Sequence, residues 1–407
     1  MASVDKRRAR KRGYKNGYEV GYTNGVRLGQ CEAVIQKAIQ DRVPNPVWDV
    51  RVLYVTSGKG YPYEPLDHAI IGSLRPLVRE LIIGNCDDDP IRIGRPEANL
   101  ETLAAVYKPN LMIVLYGMNL SLDVVDRIRS RGIRTAIWLA DDPYYTDHTA
   151  SYAPHYDFMF TLEVNCVSFY QEMGCAQVHY LPLGFNPEMF RPKPAPIGLQ
   201  RDICFIGSAY WNRVAMFDKL APYLANKRIF ISGIWWERLK HFKLLARQIH
   251  PNWMHPEHTA NAYNGAKLVI NMHRAFDDQV FNYNSRRIIG ASPNPRTFEI
   301  SGCGTLQITD IRDDLVNFYT PDYDIVTYAS PEELIEKMNY YLTHEEERKQ
   351  IAMRGLYRTM RDHTYANRLS NMLAIIFGQK VKTDSPTGKE AEVHGIGQKD
   401  KASKAWV

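Results

Sequence analysis

Ser292-Pro293-Asn294-Pro295-Arg296-Thr297-Phe298-Glu299-Ile300-Ser301-Gly302-Cys303-Gly304, followed by Thr305–Thr309, reads as a short helix feeding a strand. Asn294 before Pro295 has the form of an N-cap followed by the first helical residue. The helix then runs to Gly302. Further strands are predicted around this unit at Ile203–Ile206, Arg228–Ser232, Leu268–Asn271 and Asp324–Tyr328. Ser330-Pro331-Glu332-Glu333 and Thr343-His344-Glu345-Glu346 both have the S/T-x-x-E form of a capping box. Upstream, strands are expected at Val50–Thr56, Glu80–Ile83, Leu111–Tyr116, Thr135–Leu139 and Phe158–Thr161, with helices between them, as at Leu122–Ser130. Short apolar strands alternating with helices predict parallel sheets covered on both faces. Three prolines in Arg191-Pro192-Lys193-Pro194-Ala195-Pro196 mark a linker between two such halves. The fold class is therefore α/β, with two Rossmann-like domains facing a cleft. The expected division is an arm over 1–47, a first domain over 48–190, a linker over 191–200, a second domain over 201–378 and a disordered tail over 379–407.

In such folds ligands sit at the carboxyl ends of the strands, so the strand-end loops are the candidate sites. On the 295–302 helix, Arg296 and Glu299 are three apart and share a face. A guanidinium beside a helix N-terminus suits a diphosphate. A carboxylate one turn deeper suits the two hydroxyls of a ribose. Together they describe a nucleotide-diphosphate site, with Asn294 and Gly304 at its two ends. Gly207-Ser208, after the strand Ile203–Ile206, can turn tightly and offer a hydroxyl to a phosphate, with Arg213 near the following helix start. His273 and Arg274 follow the strand Leu268–Asn271 at a carboxyl end, His273 as a candidate catalytic residue and Arg274, like Arg213, as a candidate contact to the anionic donor. In the first domain, Asp141-Asp142-Pro143 ends a strand and offers a general base or an acceptor contact; the other reading of Asp142 is a helix N-cap before Pro143. The turn Ser57-Gly58-Lys59-Gly60 is a candidate acceptor or phosphate loop and fits no P-loop. Asp87-Asp88-Asp89 has the literal D-x-D form of a metal–diphosphate site, but it precedes Pro90 in a loop, and no metal role is assigned to it.

The segment Asn294-x-Arg296-x-Phe298-Glu299-x-x-x-Cys303-Gly304 resembles the signature of the CgeB-like spore-protein glycosyltransferases. Trp138-x-x-Asp141-Asp142-Pro143, Leu183-Gly184-Phe185-Asn186, Phe205-Ile206-Gly207-Ser208, Asn271-Met272-His273-Arg274, Glu332-Glu333-Leu334 and His363-Thr364-Tyr365 resemble other segments of that family. The resemblance spans roughly residues 50–375. It implies a GT-B fold and a hexosyltransferase-like activity. The second domain would hold a nucleotide-sugar donor, with a uridine diphosphate sugar expected and no further cofactor. The resemblance also implies a saccharide or protein acceptor on the first domain and a link to spore outer-layer glycosylation. Related retaining enzymes carry two Glu separated by seven residues. With Glu299 as the second, the first position is Ala291. That departure keeps open a coat-associated protein of the same fold with reduced catalysis. A nucleotide-sugar epimerase, which shares the two-domain plan, is the third reading.

The 407 residues carry a net charge of +6. All of the excess lies in the two ends: +6 over residues 1–30, +2 over 379–407, and −2 over the body between them. A near-neutral body speaks against a nucleic-acid-binding protein, and no apolar run is long enough for a membrane helix. The six cysteines form no C-x-x-C pair. They read as reduced, buried thiols of a cytoplasmic protein without a secretory leader. In the arm, Gly13, Gly17, Gly21, Gly25 and Gly29 recur every four residues, with Tyr14, Tyr18 and Tyr22 each following one. On a helix this makes a glycine groove beside a tyrosine ridge. It reads either as a frayed leader or as a self-association or coat-docking surface over 13–29.

Overall fold

The computed structural model describes residues 2–60, 62–86 and 99–378. Asp87–Asp89 and the tail from 379 lie outside the described residues. The first domain holds β1 Trp48–Thr56, α2 Glu64–Leu74, β2 Val78–Asn85, α3 Leu100–Tyr107, β3 Leu111–Leu115, α4 Leu122–Ser130, β4 Arg134–Leu139, α5 Thr146–Tyr152, β5 Phe158–Thr161, α6 Cys166–Glu172 and β6 Val178–Tyr180, preceded by α1 Ala2–Asp41. The second holds β7 Arg201–Ile206, α7 Trp211–Leu224, β8 Ile229–Ser232, α8 Phe242–Leu245, β9 Ile249–His250, α9 Pro256–Gly265, β10 Ala266–Asn271, α10 Pro295–Gly302, β11 Leu306–Asp310, β12 Val326–Tyr328, α11 Pro331–Thr343 and α12 Glu345–Asp362, and α13 Tyr365–Phe377 closes the chain.

Both sheets are six-stranded and their strands pair in parallel, in the orders β2-β1-β3-β4-β5-β6 and β12-β11-β10-β7-β8-β9. This is the GT-B plan of two Rossmann-like domains. The central stretches of the strands are apolar because each sheet is covered on both faces. In β1, Val52 and Tyr54 enter one core while Leu53 and Val55 enter the core on the opposite face. In β10, Leu268 and Ile270 face one core and Val269 the other. The strand order reverses between β7 and β10 in the second domain and between β1 and β3 in the first, which places a crevice at each point.

The last helix departs from the expected domain boundary at 378. Tyr365, Leu369, Met372 and Leu373 of α13 are buried in the first domain's core beside Trp138. The chain therefore crosses between domains twice. The two crossings touch: Phe185 N–H donates to His363 O (3.1 Å) and Tyr365 N–H donates to Phe185 O (3.2 Å). A Cβ at Gly184 would lie 2.7 Å from Tyr365 N, so the close approach requires glycine there. The segments 183–186 and 363–365, far apart in sequence, form one joint.

The arm is a single helix, docked over its C-terminal half. Cys31, Ile35 and Ala38 are buried with Cys303, Leu356 and Met360. Arg27 donates to Cys303 O (2.8 Å) and Asn264 Oδ1 (3.0 Å), and Tyr357 donates to Asp41 (2.6 Å). The glycine groove is not the docking face. A Cβ at any of Gly13, Gly17, Gly21, Gly25 or Gly29 would meet nothing within 4 Å, and Tyr18 and Tyr22 stack on each other in solvent. Gly304 is the glycine that the docking needs. Its φ is +65° and a Cβ there would lie 3.1 Å from Cys31 Sγ. Gly304→Val is expected to destabilise the protein by about 2 kcal/mol or more. Gly21→Ala should stabilise the arm by roughly 0.5–1 kcal/mol. Urea denaturation midpoints of the two variants against the parent check both signs.

Candidate functional site

A cavity of about 320 Å³ lies in the cleft between the domains, lined by both. On the second-domain side it sits over the β7–β10 switch point. Gly207 turns the chain out of β7 so tightly that a Cβ would lie 2.9 Å from Arg213 Nη1. Arg213 braces this turn. Its guanidinium donates to Met272 O through Nε (3.1 Å) and Nη2 (2.7 Å) and to Ser208 O through Nη1 (2.9 Å). Burial lowers its pKa to about 10, so it remains a cation in the cavity wall. Three of its five N–H donors go to backbone carbonyls, so Arg213 shapes the cavity wall as well as lining it. Ser208 Oγ accepts from Trp253 Nε1 (3.2 Å), and Trp253 flanks the same cavity.

The N-terminus of α10 opens into the cavity. Asn294 Oδ1 accepts from Thr297 N–H (3.1 Å), the cap its sequence position requires. Asn294 N–H in turn donates to His273 Nε2 (2.9 Å), while His273 Nδ1 bonds Asp310 Oδ1 at 2.6 Å. This fixes the tautomer: Nδ1 carries the proton and Nε2 accepts. Burial lowers the imidazole's pKa. Burial alone would raise that of Asp310, but His273 and Arg312 hold it low. Both ring nitrogens are engaged, so His273 is no catalytic base; it positions the residue that caps α10.

Arg296, on the first turn of α10, lines the cavity and makes no hydrogen bond or ion pair among the described residues. Glu299 lies one turn further, half-buried, outside the cavity lining. Burial pushes its pKa up to about 7, opposed by Arg296. Arg274 is sandwiched between the rings of Tyr144 (4.2 Å) and Tyr210 (4.3 Å), and Nη2 donates to Phe281 O (2.8 Å). Gly304, at the far end of α10, is remote from the cavity and belongs to the arm contact.

Across the cleft the two aspartates part company. Asp141 lines the cavity and accepts from Tyr63 Oη (2.5 Å). Burial raises its pKa, opposed by Tyr63, Arg274 and Lys59. Asp142 is buried and turned inward, accepting from Thr161 Oγ1 (2.6 Å) and Tyr170 Oη (2.8 Å). It also borders the cavity; it is not the N-cap of α5, which begins at Thr146, and both its carboxylate oxygens are already bonded within the first domain. Burial pushes its pKa up to about 7. A raised folded-state value stabilises at low pH, and that stability is lost as pH rises from about 4 to about 7. The loss is on the order of 2–4 kcal/mol. Asp142→Asn should flatten the pH profile of urea stability over that window; a profile parallel to the parent's would count against this account.

Gly58, Lys59 and Gly60 stand beside the cavity without lining it. Gly60 O accepts from Tyr63 and Glu64 N–H at the start of α2, and Lys59 Nζ lies 5.6 Å from the centre of the Tyr116 ring. Arg286 and Arg287 pair with the surface carboxylates Glu172 and Asp277.

Among the cavity residues that went unread in the sequence are Glu163, Arg312 and Trp253. Glu163 follows β5, Arg312 follows β11, and Trp253 follows β9. The strand-end rule points to the first two. A strand of two residues leaves no pattern to point to the third.

The comparisons agree with this architecture. Residues 213–374 match the family model described as "Glycosyl transferase-like". Spore protein CgeB of Bacillus subtilis (strain 168) is 28% identical over 330 residues, 80% of this chain and 98% of that protein. Sucrose-phosphate synthase from Thermosynechococcus elongatus superposes with a TM-score of 0.55 at 11% identity, over 81% of this chain and 100% of that one. HepE of Anabaena, solved in complex with UDP and glucose, gives 0.55 at 9%, over 81% and 100%. A glycosyltransferase from Rickettsia africae ESF-5 gives 0.54 at 12%, over 80% and 97%. With the α10 segment, the 183–186/363–365 joint and two Rossmann-like domains in place, the chain has the GT-B glycosyltransferase plan and is similar in sequence to the CgeB spore protein.

Proposed function

We propose that this protein transfers a sugar from a uridine diphosphate donor to a saccharide or protein acceptor, in the glycosylation of spore outer layers. The observation that carries the reading is Arg296, a guanidinium with no hydrogen bond or ion pair among the described residues, beside the N-terminus of α10 inside an interdomain cavity. A diphosphate is the ligand class that uses both a fork of N–H donors and a helix dipole. As the glycosidic bond to the diphosphate breaks, negative charge grows on the leaving oxygen. Arg296 and the first turn of α10 are assigned its stabilisation. Glu299, one turn on, is assigned the ribose hydroxyls, and Trp253, on the cavity wall, is assigned the base. Asp141, on the opposite wall, is assigned the acceptor hydroxyl, whose proton it takes as the new bond forms.

The complex of HepE with UDP and glucose supports this nucleotide, and the name of the Bacillus relative supports the spore setting. Calorimetric titration with UDP, GDP and UDP-glucose tests the donor. Binding of the uridine ligands, weakened by Glu299→Ala, is expected. Binding of none of the three would end the proposal.

A further inference from the structure

The chain between β10 and α10 does not take the short way. Residues 275–293 contain no helix or strand and lie across the first domain before returning to Asn294. Two grips hold them there. At the first, Tyr283 N–H donates to Tyr144 O (2.7 Å) and Asp147 N–H donates to Tyr283 O (2.9 Å). Asp147 Oδ1 also accepts from Ser285 Oγ (2.6 Å). At the second, Glu163 Oε1 accepts from Ala291 N–H (3.0 Å) and Oε2 from Ser292 N–H (3.1 Å). Val164 N–H donates to Ser292 Oγ (3.0 Å) and Asn165 Nδ2 to Ile289 O (2.8 Å). Arg312 holds the same stretch from the second domain through Gly290 O (2.5 Å).

Glu163 is 2% exposed. A carboxylate so buried is costly unless its oxygens are bonded. Of its three backbone donors, two belong to the other domain's segment and the third is its own turn at Asn165 (3.2 Å). Ser292 precedes Arg296 by four residues, with the Asn294 cap between them. A displacement at the second grip is therefore passed to the start of α10 through Pro293, Asn294 and Pro295, two of which have a fixed φ.

We infer that residues 275–293 are a strap through which the first domain sets the N-terminus of α10, with Glu163 as its positioning residue. Donor affinity then depends on a first-domain side chain that need not touch the donor. The donor half of this inference rests on the function proposed above; the mechanical half does not.

Hydrogen–deuterium exchange on the full chain tests the mechanical half without any ligand. Glu163→Ala should raise amide exchange at 294–299 about tenfold or more and leave β4 and β11 unchanged. Titration with UDP tests the rest: the dissociation constant should rise about tenfold for Glu163→Ala and less for Glu163→Gln, which keeps an acceptor. Asp147→Ala, at an exposed position of the first grip, should weaken UDP about threefold and covers the case in which the Glu163 variants fail to fold. Unchanged exchange at 294–299 in the folded variants would overturn the strap. Unchanged UDP affinity beside raised exchange would overturn its link to the donor. A parent protein that binds no UDP, with exchange raised as expected, would sink the donor reading alone.

Discussion

Replacing Arg296 by alanine is expected to raise the dissociation constant for UDP by about 10- to 100-fold. The figure comes from the type of contact. Hydrogen bonds to a charged partner contribute roughly 1.5–3 kcal/mol, and each 1.4 kcal/mol is about a factor of ten in affinity. Arg213 and Arg274 line the same cavity but are held in place by the Met272, Ser208, Val280 and Phe281 carbonyls, so they replace Arg296 only in part. Arg296→Lys should recover part of the loss, since a point charge replaces the charge but not the fork. Calorimetry of the three proteins with UDP checks the order. Equal affinities would mean that the diphosphate, if bound, lies elsewhere.

Replacing Asp141 by asparagine is expected to lower sugar transfer by about 10²- to 10⁴-fold, the usual contribution of a positioned general base. UDP affinity should stay within about threefold, because Asp141 stands on the wall opposite α10 (the contrast with Arg296→Ala is the test). The pH dependence adds a second handle. Burial raises the pKa of Asp141, while the Tyr63 hydroxyl favours its charged form. Transfer needs the carboxylate, so activity should climb with pH through that raised value. Tyr63→Phe removes a bond to the charged form and should move the acid limb to higher pH. An acid limb that moves down, or not at all, would detach Asp141 from the reaction.

Much of this was legible in the sequence because β1, β3, β4, β7 and β10 are apolar runs bounded by turn residues, and such runs have few other uses. β6 and β9, at three and two residues, are too short to leave a pattern. The helix at 295–302 was readable to the residue because Asn-Pro fixes both cap and first turn. The position of α13 was not. Its apolar face specifies burial but not which of two cores receives it. The aspartates show the same limit at a smaller scale. Asp141 and Asp142 are adjacent and chemically identical, yet one faces the cleft and the other meets Thr161 and Tyr170. His273 was read as a chemical group because it ends a strand. Its neighbours Asp310 and Asn294, distant in sequence, occupy both nitrogens. Glu163 and Ala291 are 128 residues apart, and only the folded strap makes them partners.

The central claim is that α10 and Arg296 receive a nucleotide diphosphate. A crystal structure of the full chain soaked with UDP tests it most directly. The diphosphate is expected against the first turn of α10, with the Arg296 guanidinium within hydrogen-bonding distance. A diphosphate bound away from α10, or crystals that take up no UDP at millimolar concentration, would contradict it.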